Sequence, residues 1–171
     1  IDECFNDFLP DAERHTLKDL LEACPNLIVL RAYTKMYAVP GVRFGWCMTA
    51  DTALIEALYR AGQPWNVSVI AQACAAAAAG EPNWAADTAK RIAAERKFLY
   101  DGLSAHGLQV FPGEANFLLF RSEDTKLHEK LAAKGVMIRD CANYRGLSAG
   151  FYRAAVKNRE ASEKLLEALE P

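Results

Sequence analysis

Helix-period stretches and short apolar runs alternate along the chain. "HTLKDLLEACP" puts Leu17, Leu20 and Leu21 on one helical face and stops at Pro25. "NLIVLRAY" is a continuous apolar run of strand length, the pattern of a strand covered on both faces in a parallel sheet. "RFGWCMTA" reads as a second strand and residues 51–61 as a helix, so the order helix, strand, turn, strand, helix predicts an α/β region. After the linker "GQPWN", residues 67–79 are nearly all small, which predicts a central helix packed closely on every side.

Gly80, Glu81 and Pro82 break that helix and mark a predicted domain boundary between 1–80 and 81–171. A long amphipathic helix over 83–107 follows, with Asn83 as its N-cap and Gly107 at its end. Strands are predicted at 108–111, 115–121 and 136–139, with a helix at about 124–134 between the second and third. A last strand, "GFYRAAVK", leads into a helix capped by Asn158. The second part is therefore a small α+β unit.

Composition narrows the function more than the fold. A net charge of −2 supplies no basic field for nucleic acid, and no apolar stretch approaches the roughly 20 residues that span a bilayer. The five cysteines are scattered without a CxxC pair, which indicates neither a disulfide framework nor a zinc site and points to a reduced, cytoplasmic setting. The three histidines share no ligand spacing, so no metal is expected. Ile1, followed by two acids, reads like the last residue of a buried strand, so the chain is expected to be part of a longer one.

The stretch with chemical content is "RAYTKMYAVPGVRFGW". Lys35 follows the apolar run, Pro40 and Gly41 can turn the chain, and Arg43 can thereby return toward the lysine. An amine activated by partial burial or a nearby cation attacks carbonyls. With the Thr34 hydroxyl and the Arg43 guanidinium alongside, the set suits a cofactor carrying an aldehyde and a phosphate, such as pyridoxal 5'-phosphate. On spacing alone, a solvated loop lysine, with Arg43 snorkelling from a sheet edge, is the favoured reading.

The segment resembles the Schiff-base region of fold-type I pyridoxal-phosphate enzymes, in the branch of histidinol-phosphate aminotransferase and threonine-phosphate decarboxylase. "IDECF" is similar to that family's Asp-Glu-Ala-Tyr/Phe strand end, and "TKMYAVPGVRFGW" to its Ser-Lys and Gly-Leu-Arg segment. "QPWNVSVIAQACAAA" is similar to its helix entry, and "ANFLLFR" and "IRDCANYRGLSAGFYRAAVK" to its C-terminal domain. The fold implied is α/β: the C-terminal part of an aminotransferase-like cofactor-binding large domain, followed by a small α+β C-terminal domain.

The resemblance implies that Lys35 forms the Schiff base and moves the substrate proton, that Asp2 faces the pyridine nitrogen, and that Thr34 and Arg43 hold the phosphate. Arg153 would pair with the substrate carboxylate and Arg139 with an anionic tail. Asn116 and Tyr144 are weaker candidates. Two positions depart from the family pattern: Phe5 stands where many relatives have a tyrosine, and Ala32 where relatives carry a serine or threonine.

The implied activity is that of a class I/II aminotransferase acting on a small amino acid, possibly phosphorylated. The alternatives are a threonine-phosphate decarboxylase-like enzyme of cobalamin biosynthesis and a non-catalytic scaffold descended from such an enzyme. Relatives of this kind are homodimers, so the parent protein is expected to be one. The glycine-rich phosphate turn and ring-stacking aromatic of the family are not in these residues, so the 171 residues alone are expected to be inactive.

Overall fold

In a computed structural model that describes residues 1–170, the chain forms two compact units, Ile1–Ala89 and Lys90–Pro171. The boundary falls inside the long helix.

The first unit opens with residues 1–3, which run parallel to a strand, β1 (Val29–Ala32). Glu3 N–H donates to Leu30 O and Leu30 N–H to Ile1 O, each at 2.9 Å. Between them lie a 3₁₀ turn at Asn6–Phe8, the short helix α1 (Ala12–His15), capped by Asp11, and a second 3₁₀ turn at Lys18–Leu20. The single helix expected over 15–25 is therefore absent. Glu3 is the reason: its carboxylate accepts the Leu17 N–H at 2.8 Å and the Thr16 hydroxyl at 2.9 Å, which anchors the chain where a helix would have to continue.

β1 leads into the one-turn helix α2 (Tyr33–Met36) and a 3₁₀ turn at Pro40–Val42. The chain then returns as β2 (Gly45–Met48), antiparallel to β1 with Ala32 opposite Gly45 and Val29 opposite Met48. The main ladder of this unit is thus antiparallel, where the apolar run predicted a parallel one, and only the Asp2–Leu30 bridge is parallel. A continuous apolar run reports burial of a strand and is silent on its neighbour's direction.

α3 (Thr52–Ala61) starts at Asp51, whose carboxylate accepts the Leu54 N–H. α4 (Val69–Ala79) starts at Ser68 in the same manner. Of the residues in α4 only Ala71 is buried, and Val69 and Ile70 are exposed, so the enclosure expected of this helix is not met within the chain. Small side chains permit close packing without supplying the partner.

α5 (Trp84–Ala105) ends at Gly107, whose positive φ of 75° closes the helix while Leu108 N–H donates to Leu103 O. The second unit is a four-stranded antiparallel sheet in the order β3 (Gln109–Val110), β4 (Phe117–Arg121), β6 (Phe151–Ala155), β5 (Arg139–Asp140). Leu118, Phe120, Tyr152 and Ala154 on its inner face pack with Leu99 and Leu103 of α5, Leu131 of α6 (Leu127–Ala133) and Leu165 of α7 (Arg159–Leu169). Asn158 caps α7 by accepting the Ala161 N–H at 3.1 Å. Among the described residues, no helix is long and apolar enough to cross a membrane.

Candidate functional site

The pairing of the first unit brings three segments to one end of β1. Lys35 follows the C-terminal end of β1, and Arg43 precedes β2, which runs the opposite way from the position facing Ala32. Asp2 lies beside Leu30 and continues toward the same end through Cys4 and Phe5.

Lys35 is exposed on α2, and its ammonium stands 5.9 Å from the centre of the Phe5 ring. Among the described residues no carboxylate forms an ion pair with it. Asp2 bends into the 2–5 turn, with its Oδ1 accepting the Cys4 N–H at 2.8 Å. The Cys4 side chain first and the Cys4 N–H second hold the Asp2 carboxyl below its ordinary pKa. It is a carboxylate at neutral pH.

Thr34 is half-buried, and its hydroxyl has no hydrogen-bond partner among the described residues. Arg43 sits in the left-handed region at φ 59°, with Nη1 donating to Pro40 O at 2.8 Å and the rest of its guanidinium exposed. Ala38, on the other side of the turn, has φ 53°. Two non-glycine residues held there carry strain of about 1–3 kcal/mol each, a cost that folds concentrate at functional segments.

Behind this end lies an ionic clamp that spacing does not reveal. Arg31, in the middle of β1, donates from Nη2 to Glu3 Oε2 at 2.9 Å and from Nη1 to Asp7 Oδ1 at 3.1 Å. Burial pushes the Glu3 carboxyl up, but the bonds from Leu17, Thr16 and Arg31 together outweigh it and leave the pKa lowered. Burial raises Asp7 more than Arg31 lowers it. On another side, Trp84 Nε1 donates to Met36 O at 3.0 Å and pins the end of α2. The one available sequence signal for the clamp is an arginine directly after a buried apolar run, which needs a carboxylate partner.

In the second unit, Arg139 of β5 lies directly opposite Arg153 of β6, and cross-strand partners share one face of a sheet. The Arg153 guanidinium rests 4.9 Å from the Phe117 ring centre. Arg139 lies 5.7 Å from the Tyr144 ring centre and donates to Asn143 Oδ1 at 3.2 Å. Among the described residues neither arginine has a carboxylate partner. Like charges directly opposite each other repel, so the pair forms a surface that an anion stabilises. Nearby, Asn116 carries a buried side-chain oxygen without a hydrogen bond.

The structure therefore gathers Asp2, Lys35 and Arg43 at one strand end and pairs Arg139 with Arg153 within the other unit. Sequence reasoning missed Glu3, Arg31, Cys4 and Trp84.

Comparison with known proteins follows this geometry. The family model for aminotransferase class I and II matches residues 1–169. The chain is 36% identical over 174 residues to the threonine-phosphate decarboxylase of Salmonella typhimurium, covering 99% of this chain and 47% of that protein. It is 33% identical over 170 residues to a histidinol-phosphate aminotransferase of Nitratidesulfovibrio vulgaris, covering 98% and 45%. It superposes on the crystal structure of the histidinol-phosphate aminotransferase from Clostridium acetobutylicum with a TM-score of 0.91 at 31% identity, over 99% of this chain and 52% of the other. The chain spans about half the length of the curated relatives it matches.

Proposed function

The chain belongs to the class I and II aminotransferase family, and on that premise we propose that it supplies the lysine-bearing part of a pyridoxal 5'-phosphate enzyme acting on a small, phosphorylated amino acid. Residues 1–80 are the end of its cofactor domain and 81–171 its small domain, and the enzyme works as a homodimer. The observation that carries the reading is the unpaired Lys35 ammonium beside the Asp2 turn, at the strand end to which Arg43 also returns.

The donor set at that end fits the cofactor. An amine, a carboxylate that stays ionised, a hydroxyl without a partner and an exposed guanidinium answer an aldehyde, a ring nitrogen and a phosphate. When bound through its aldehyde, the cofactor supplies an electron sink for the bond that breaks at the substrate Cα.

Several binding and proton-moving parts fall to this chain's side chains. Asp2 keeps a proton on the ring nitrogen by offering a carboxylate. Thr34 and Arg43 hold the phosphate, Arg43 through charge-assisted bonds. Lys35 Nζ would take up and return the substrate Cα proton. Arg153 receives the substrate carboxylate in a bidentate grip, and Arg139 receives the second anionic group.

Transamination is the main reading. Decarboxylation is the second, favoured by the 36% identity to a threonine-phosphate decarboxylase. The two differ in whether hydrogen or carboxylate leaves the Cα. Phosphothreonine given to the protein containing these residues distinguishes them, by release of carbon dioxide or appearance of a keto acid.

The cofactor assignment is tested by borohydride reduction in the presence of pyridoxal 5'-phosphate, followed by peptide mass spectrometry. A pyridoxyl group on the Lys35 peptide, lost in Lys35→Ala, is the expected result. Equal labelling of both proteins refutes the assignment and favours a non-catalytic scaffold.

A further inference from the structure

Arg139 and Arg153 face each other across the β5–β6 ladder, and like charges so placed are ordinarily relieved by an acid. The acid next in sequence, Asp140, is turned away, because successive residues of a strand point to opposite faces. Its Oδ1 accepts the Ala142 N–H at 3.0 Å instead. What meets the Arg139 guanidinium is uncharged. Nη2 donates to Asn143 Oδ1 at 3.2 Å, and the guanidinium carbon lies 5.7 Å from the centre of the Tyr144 ring.

Both contacts come from one loop, residues 141–147, and that loop is fixed to the sheet. Cys141, fully buried, donates its N–H to Phe151 O at 2.9 Å. Tyr144 N–H donates to Cys141 O and Leu147 N–H to Tyr144 O, each at 3.0 Å. The backbone of Asn143 and Tyr144 is thus set by bonds that do not involve the guanidinium they hold. An amide oxygen and a ring face orient a guanidinium without cancelling its charge, whereas a carboxylate orients it and cancels it. Arg153 is held in the same way, on the Phe117 ring at 4.9 Å.

We propose that Asn143 and Tyr144 are positioning residues for Arg139: they aim its guanidinium over the face it shares with Arg153 and leave its charge free for an oxyanion of the substrate. The proposal rests on the reading of Arg139 as the receiver of the second anionic group, and deepens it by naming what orients that receiver.

The test uses inorganic phosphate and the full-length protein that contains these residues, and needs no turnover. Phenylglyoxal modification of Arg139 is followed on its own peptide by mass spectrometry, and phosphate is expected to slow it. Asn143→Ala should raise the phosphate concentration that halves each protein's own rate by about fivefold, the scale of one hydrogen bond. Tyr144→Leu should raise it by about threefold, and Tyr144→Phe, which keeps the ring, should match the wild type. Asn143→Asp should raise it most, since a carboxylate against the guanidinium cancels the charge that phosphate needs.

A wild-type midpoint in both Asn143→Ala and Tyr144→Leu, or an equal loss in Tyr144→Phe and Tyr144→Leu, overturns the positioning role. Absence of phosphate protection in the wild type overturns the anion reading of Arg139 as well. The expected shifts in a protein that forms no pyridoxyl adduct at Lys35 would refute the cofactor reading alone and leave the positioning role standing.

Discussion

Arg31→Met is the sharpest test of how the candidate site is held in place. Methionine keeps most of the apolar stem and deletes the guanidinium, so Glu3 loses the bonds at 2.9 and 3.2 Å and Asp7 the one at 3.1 Å. The Glu3 side chain is 5% exposed and that of Arg31 15%, so the orphaned carboxylate cannot turn to water. Removing one partner of a buried ion pair costs about 3–5 kcal/mol. Because Thr16 and Leu17 still donate to Glu3, the lower end applies, about 3 kcal/mol.

The assay is urea unfolding followed by tryptophan fluorescence. Trp46, Trp65 and Trp84 all lie in Ile1–Ala89, so the signal reports this unit whatever the other does. Adding Glu3→Gln removes the stranded charge, so the double variant should be less destabilised than the sum of the singles, with a coupling of about 1.5–2 kcal/mol. A loss below about 1 kcal/mol in Arg31→Met, or strict additivity, would refute the clamp as a support of this end.

The pH dependence should carry two opposite signs. Glu3, with its pKa lowered below the ordinary 4.5, contributes stability that is full above that value and lost as pH falls through the folded one. Asp7, with its pKa raised, does the reverse, so Asp7→Asn should relieve a cost at pH 7 and lose less than about 1 kcal/mol. Gly150→Ala should destabilise the second unit by more than about 2 kcal/mol, seen by circular dichroism, since φ is 92° and a Cβ would lie 2.6 Å from the Ser122 carbonyl oxygen. Asn158→Ala, which removes the cap of α7, should cost about 1 kcal/mol by the same measurement.

Much of the fold was legible because local chemistry coincides with the final structure. The end of α5 at Gly107 and the start of α7 after Asn158 are cap signals whose partners lie within a few residues, so spacing alone exposes them. The helix expected over 15–25 failed for the opposite reason. Its N–H and hydroxyl donors at Leu17 and Thr16 are taken by a carboxylate 14 and 13 residues upstream, and helical periodicity contains no record of that competitor. Strand direction was likewise outside the reach of the apolar run at 27–30, since one such run serves either ladder.

The candidate site divides along the same line. Lys35, Thr34 and Arg43 share one short stretch, so sequence reading could name them together. Arg139 and Arg153 lie 14 residues apart, and only the β5–β6 register sets them face to face; a slip of one residue would turn one guanidinium to the other side of the sheet. Arg31 and Glu3 are 28 residues apart, beyond any periodicity, though a charge bordering a buried run demands a partner somewhere. What sequence shows best is therefore chemistry carried on one local turn; what it hides is the support that holds the turn. That support is also where a substitution distant from Lys35 could displace the amine while leaving every residue of its own segment intact.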